Sequence, residues 1–166
     1  MTRLQEAAYN AQLAAALPVS DLAETVLVIH DGMINRQHCA TYVLAVQRTD
    51  WFKAAFPAHT GPVTVVGGQG GSHADALQRR IKIGTNNRFN VSACEQACLH
   101  ELAHIVSADY GPGKELREPR LGRDSSKGHH HAWRVNFVLI VRKTLGKQAA
   151  ARLRYEFNQW GLATCR

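Results

Sequence analysis

Apolar positions recur at spacings of three and four over residues 35–47, where Cys39, Tyr42, Val43 and Val46 fall on one face and predict a buried helical stripe. A second such pattern, Leu99, Leu102, Ile105 and Val106, predicts another helix with one face on the core. Ser92 followed by Glu95 has the form of a capping box, so this helix is expected to begin near Ser92. Residues 135–145 carry the apolar pattern of a buried helix that stops at Gly146, and residues 147–160 form a last amphipathic helix closed by Gly161. Helix-favouring composition over residues 2–17, ending at Pro18, predicts an N-terminal helix.

The strand signals are shorter. The β-branched run TVLVIH at residues 25–30, bounded by Asp31-Gly32, predicts a strand, as does PVTVV at residues 62–66. IKIGT at residues 81–85 alternates apolar and polar positions and predicts a further strand of the same sheet. Between them the run Gly67-Gly68-Gln69-Gly70-Gly71 lacks the GxxxxGK[ST] pattern of a phosphate loop and is expected to be a linking turn. Asp50 is expected to cap a short helix, WFKAAF, in which Trp51, Phe52 and Phe56 anchor the core. Residues 109–127 are rich in Gly, Pro and charge, lack periodicity, and are expected to form a long loop. The whole is an α+β pattern in a single domain over residues 1–166, with a small β-sheet packed against the helix that starts near Ser92 and further helices towards the C-terminus.

Composition narrows the classes. With 166 residues, 45% hydrophobic and 20% charged, the chain can bury a core of its own, and neither disorder nor a membrane protein is suggested. The N-terminus lacks the continuous apolar run of a secretory signal, so a cytoplasmic location is expected. The net charge of +7, with Lys and Arg concentrated between Arg117 and Arg154, could serve a nucleic-acid partner, but no nucleic-acid motif accompanies it and a solvated basic face is the commoner arrangement. Four cysteines, Cys39, Cys94, Cys98 and Cys165, show no CxxC spacing and are expected to be reduced. Cys94 and Cys98 lie one helical turn apart, where two buried thiols are commoner than a second metal site, and no function is assigned to them.

The chemistry lies in His100-Glu101-Leu102-Ala103-His104, an HExxH sequence inside a predicted helix. Histidines at i and i+4 project from one face, so their imidazoles can share one metal ion, while Glu101 is offset around the helix and free to act on a water beside it. Zn²⁺ suits such a site, because a catalytic zinc has three protein ligands with a fourth position open, and Glu101 can serve as general base. A chance HExxH in a chain of this composition has a probability of about 0.02, before the helical context is demanded. The third ligand is not supplied by the HExxHxxxxxH extension, because Tyr110 stands where its histidine would be. His129, His130 and His131 follow the long loop and are the natural candidates, with Glu115 and Glu118 as carboxylate alternatives. For an oxyanion donor, His130, His131, Tyr110 and Arg134 are candidates.

HELAHIV, a loop, then HHHAWRVNFVLIVRKTLG resembles a group of small actinobacterial metallohydrolases whose second motif reads HGPEF, and more distantly the SprT-like zinc proteases with their HGxxF segment. The resemblance spans roughly residues 35 to 162, taking in YVLAVQRTDWFKAAFP and PVTVV. It implies a zincin-like fold and a zinc metallopeptidase acting on a peptide or protein. Aligning Trp133 with the family's aromatic places His129 on its metal-binding histidine, so the implied ligand set is His100, His104 and His129, with Glu101 catalytic. This chain departs from the pattern in having His130-His131-Ala132 where the family has Gly-Pro-Glu. By analogy with zincins, the strand over residues 81–85 would be an edge that receives extended substrate. Two other readings compete: a non-catalytic zinc-stabilised structural or interaction protein, and a DNA-associated SprT-like protease.

Overall fold

A computed structural model describes residues 17–107, 129 and 131–159 of the chain. Among them the architecture is mixed α and β: six α-helices, a two-stranded hairpin and a three-stranded sheet. The expected helix over residues 2–17, except Leu17, and the expected loop over 109–127 lie outside the described residues. No described helix is long and apolar enough to cross a membrane.

The first described helix, α1 (Asp21–Val26), occupies part of the run expected to be a strand. Ser20 explains the difference. Its hydroxyl accepts from the Ala23 N–H, and Ala23 is fully buried, so a capped turn captures Thr25 and Val26 despite their β-branched side chains. Only Ile29–His30 (β1) remains extended, paired antiparallel with Met33–Ile34 (β2). Asp31 and Gly32 join them with φ of 49° and 77°, the two left-handed positions that a tight hairpin of this twist requires.

Helix α2 (Arg36–Arg48) begins at Asn35, whose side chain accepts from the Gln37 N–H, and buries Cys39, Tyr42, Val43 and Val46 as the spacing predicts. Thr49, one residue ahead of the expected Asp50, caps α3 (Asp50–Ala55) through its side-chain oxygen. Phe52 and Phe56 are buried and Trp51 packs against the core beside them.

The sheet has the order β3-β5-β4, with β3 (Thr64–Gly68) parallel to β5 (Arg80–Gly84) and β4 (His73–Asp75) antiparallel to it. The strand expected to be an exposed edge is therefore the central one, paired with β3 along its length and with β4 over residues 80–82, so it is not the edge that strand addition at residues 81–85 requires. The reason is non-local: the glycine-dense turn folds back into β4, a three-residue strand too short to leave a sequence pattern. Gly84 closes this corner. A Cβ there would sit 1.9 Å from the Gly70 carbonyl oxygen, so two backbones meet where no side chain fits.

Helix α4 (Val91–Ser107) is the hub, packed against α1, α2, β4, β5 and the following helix α5 (His131–Thr144), on which α6 (Lys147–Gln159) docks. Its N-terminus corrects the expected capping box. Asn90 provides the cap, its side-chain oxygen 2.7 Å from the Ala93 N–H, two residues before the expected Ser92–Glu95 contact. Glu95 instead turns inward and is 1% exposed, accepting from the Ser20 N–H at 3.0 Å, the Ser20 hydroxyl and the Tyr42 hydroxyl. Burial, then the Glu95 carboxylate, pushes the Tyr42 phenol well above its ordinary 10.0, so it stays protonated and donates. A buried carboxylate thus ties α1, α2 and α4 together.

Gly84→Ala should destabilise the fold by about 1–3 kcal/mol or more, through overpacking against backbone. Gly71→Ala, where an added Cβ meets nothing within 4 Å, should change stability by less than about 0.5 kcal/mol. Urea midpoints of the two variants check this, and equal midpoints would contradict the packing described at Gly84.

Candidate metal centre

On a helix turning about 100° per residue, His100 and His104 share one face of α4, while Cys94 and Cys98 share another about 120° round the helix. The histidine face looks towards α5. There His129, just before α5 begins, brings its Nε2 to 3.0 Å from Nε2 of His100. The three imidazoles, His100, His104 and His129, each offer a ligand nitrogen, and these atoms all lie within 4.8 Å of one another. Ring centroids are 5.1 Å apart for His100 and His104 and 4.9 Å for each of these with His129.

Two neighbours in α5 set this geometry. Trp133, 1% exposed, packs against all three imidazoles, with centroids 4.7, 5.1 and 4.2 Å from His100, His104 and His129, and aims its indole N–H at the His100 carbonyl, 3.4 Å away. Phe137, one turn on, stacks on Trp133 and touches His100. Arg134, one of four candidates for an oxyanion donor, is buried and donates from its guanidinium to the His129 carbonyl at 2.8 Å. It anchors the backbone that presents the third imidazole. Asn136 donates to the Ser107 hydroxyl at 3.0 Å and fixes the far end of the α4–α5 contact.

Burial, then the neighbouring His104 and His129, holds the His100 imidazole well below its ordinary 6.5. A neutral imidazole keeps the lone pair that a metal needs. The spacing also fits: two nitrogens each roughly 2.0–2.1 Å from one tetrahedral zinc stand about 3.3 Å apart, close to the 3.0 Å between His100 and His129. Three half-buried imidazoles thus stand together as a group that could hold a metal ion.

Glu101, between the two helix histidines, is 5% exposed. His131 is the first residue of α5 and does not join the trio, while His130, Tyr110, Glu115 and Glu118 lie outside the described residues. The roles of Trp133 and Arg134 in holding the imidazoles are absent from the sequence reading of the residues alone. Their i+4 and i+5 spacing from His129, at the start of an apolar helix, is the signal that carries them.

A second cluster is less expected. Cys39 of α2 meets Cys94 and Cys98 of α4, with all three sulfurs within 4.8 Å of one another and Sγ of Cys39 3.4 Å from that of Cys94. Hydrogen bonds from Cys94 and Cys98 pull the Cys39 thiol well below its ordinary 9.0 against the effect of burial, and the Arg88 guanidinium adds to the pull. The same contact with Cys39 raises Cys94. The pairing of Cys94 with Cys98 as buried thiols is as the spacing predicts, and Cys39 joins them from 55 residues away.

No family model, curated protein or solved structure matches this chain.

His129→Ala should lose the zinc that a brief chelator treatment removes from the wild type, about one equivalent, whereas His131→Ala should keep it. Elemental analysis before and after chelation reads the difference. Zinc retained by the first variant and lost by the second would exchange their roles.

Proposed function

We propose that the chain is a zinc-dependent hydrolase of the metallopeptidase type, with a zincin-like placement of its HExxH helix, acting on peptide or protein amides. The observation that carries this is the approach of His129 to His100 and His104, on the helix that also bears Glu101. His100, His104 and His129 would hold the ion as neutral imidazoles. Three imidazole ligands leave one coordination position for water, and the partial exposure of the trio lets water reach it. When bound, the ion supplies Lewis acidity to water and to the scissile carbonyl.

The chain's own residues do the rest. Glu101 takes the proton of the attacking water and returns it to the leaving amine, the task of a general base that then acts as a general acid. Trp133, packed against all three rings, is a positioning residue that backs the trio from the core side. Arg134 is a positioning residue, acting on His129 through its carbonyl.

Glu101→Gln keeps size and hydrogen bonding but removes the base. It should reduce peptide hydrolysis by about 10²–10⁴-fold while exchangeable zinc stays near about one equivalent. Cleavage of a diverse peptide library by zinc-loaded protein measures this, and undiminished activity in the variant would remove Glu101 from the mechanism. A zinc-loaded wild type that cleaves nothing, yet loses stability on chelation, would instead establish a non-catalytic zinc-stabilised protein.

A further inference from the structure

A second face of α4, about 120° round from the histidines, holds chemistry that the proposed hydrolase does not use. Cys94 and Cys98 stand one turn apart on it, and Cys39 of α2 completes a triangle of thiols, all three fully buried. In a trigonal or tetrahedral thiolate site with Zn–S bonds of about 2.3 Å, sulfurs stand about 3.8–4.0 Å apart. The observed sulfurs, 3.4 Å apart for Cys39 and Cys94 and all within 4.8 Å, reach that spacing with shifts of less than about 1 Å.

A buried cation stands beside them. Arg88 is 8% exposed and lies close enough to Cys39 and Cys94 to act on both electrostatically. Its Nε is buried with no hydrogen-bond partner among the described residues. Room is made for it by Gly67, where an added Cβ would fall 2.8 Å from the guanidinium nitrogen. Burying a guanidinium against apolar helices is expensive unless an anion accompanies it. Three thiolates around one divalent ion carry a net charge of minus one, which Arg88 cancels. A monovalent ion in the same place would leave an uncompensated negative charge inside the core.

We propose that Cys39, Cys94 and Cys98 form a second metal site, a buried structural site for a thiophilic divalent d¹⁰ ion such as Zn²⁺, with Arg88 as its charge partner. Binding displaces the three thiol protons to solvent, and no electron is transferred. Because the sulfurs are closed off, the ion enters as the chain folds and pins α2 to α4. The site differs from the histidine centre in being inaccessible once folded, so the two are separable by exchange.

The test uses the full chain, expressed with zinc and purified under reducing conditions. About two equivalents of zinc are expected, of which brief chelation removes one and unfolding in chelator releases the other. Cys39→Ser and Cys98→Ala should lose the chelator-resistant equivalent and keep the exchangeable one, whereas His100→Ala should do the reverse. The histidine centre and the thiol site can therefore fail independently. Should the cysteine variants not fold, wild-type chain refolded with Cd²⁺ gives a second reading: a sulfur-to-cadmium charge-transfer band in the ultraviolet, read as a difference spectrum against the zinc form, that His100→Ala and Cys165→Ser both retain. Wild type without chelator-resistant zinc, refolded chain without the band, or resistant zinc undiminished in a folded Cys39→Ser variant would each overturn the proposal.

Discussion

The candidate site depends on the packing of α5 against α4, which brings a nitrogen from outside the HExxH helix to within 3.0 Å of His100. Two imidazoles one turn apart on a helix are common and bind nothing firmly by themselves. A third, arriving from another element, needs a rigid contact between the two helices. Trp133 supplies it, wedged beneath all three rings, with Phe137 and Phe157 continuing the aromatic layer into the core. Burial, with His104 and His129 beside it, disfavours the protonated form of His100, and a neutral imidazole is what a metal ion needs.

Helix α4 carries this arrangement because it is held from every side. Asn90 fixes where it starts, Glu95 ties it to Ser20 and Tyr42, the thiol face meets α2, and the histidine face meets α5. The polar interactions are buried and directional, so they determine rotation as well as position. A rotation of α4 by one residue, about 100°, would bring thiols towards α5 and imidazoles into the core.

Much of this was legible in the chain itself, for identifiable reasons. The HExxH face and the apolar stripes of α2, α4 and α5 are local periodicities, and local periodicity survives folding. The residues alone leave His129, His130 and His131 open and only the family resemblance points to His129, the histidine that the structure, among the described residues, brings beside His100 and His104. What the sequence concealed is non-local or competitive. Cys39 meets Cys94 and Cys98 only through the α2–α4 packing, and the central position of β5 follows from a three-residue strand. The Ser92–Glu95 pattern lost to Asn90 because a cap two residues earlier was also available and Glu95 gains more from the buried hydroxyls of Ser20 and Tyr42. TVLVIH lost its strand to a helix nucleated upstream by Ser20.

The central claim is that one metal ion is gripped by imidazoles contributed from two elements. Anomalous diffraction at the zinc edge from crystals of the zinc-loaded protein tests it most directly. The account predicts a peak among His100, His104 and His129, roughly 2.0–2.1 Å from one nitrogen of each. Density for zinc that leaves these three rings untouched would contradict it.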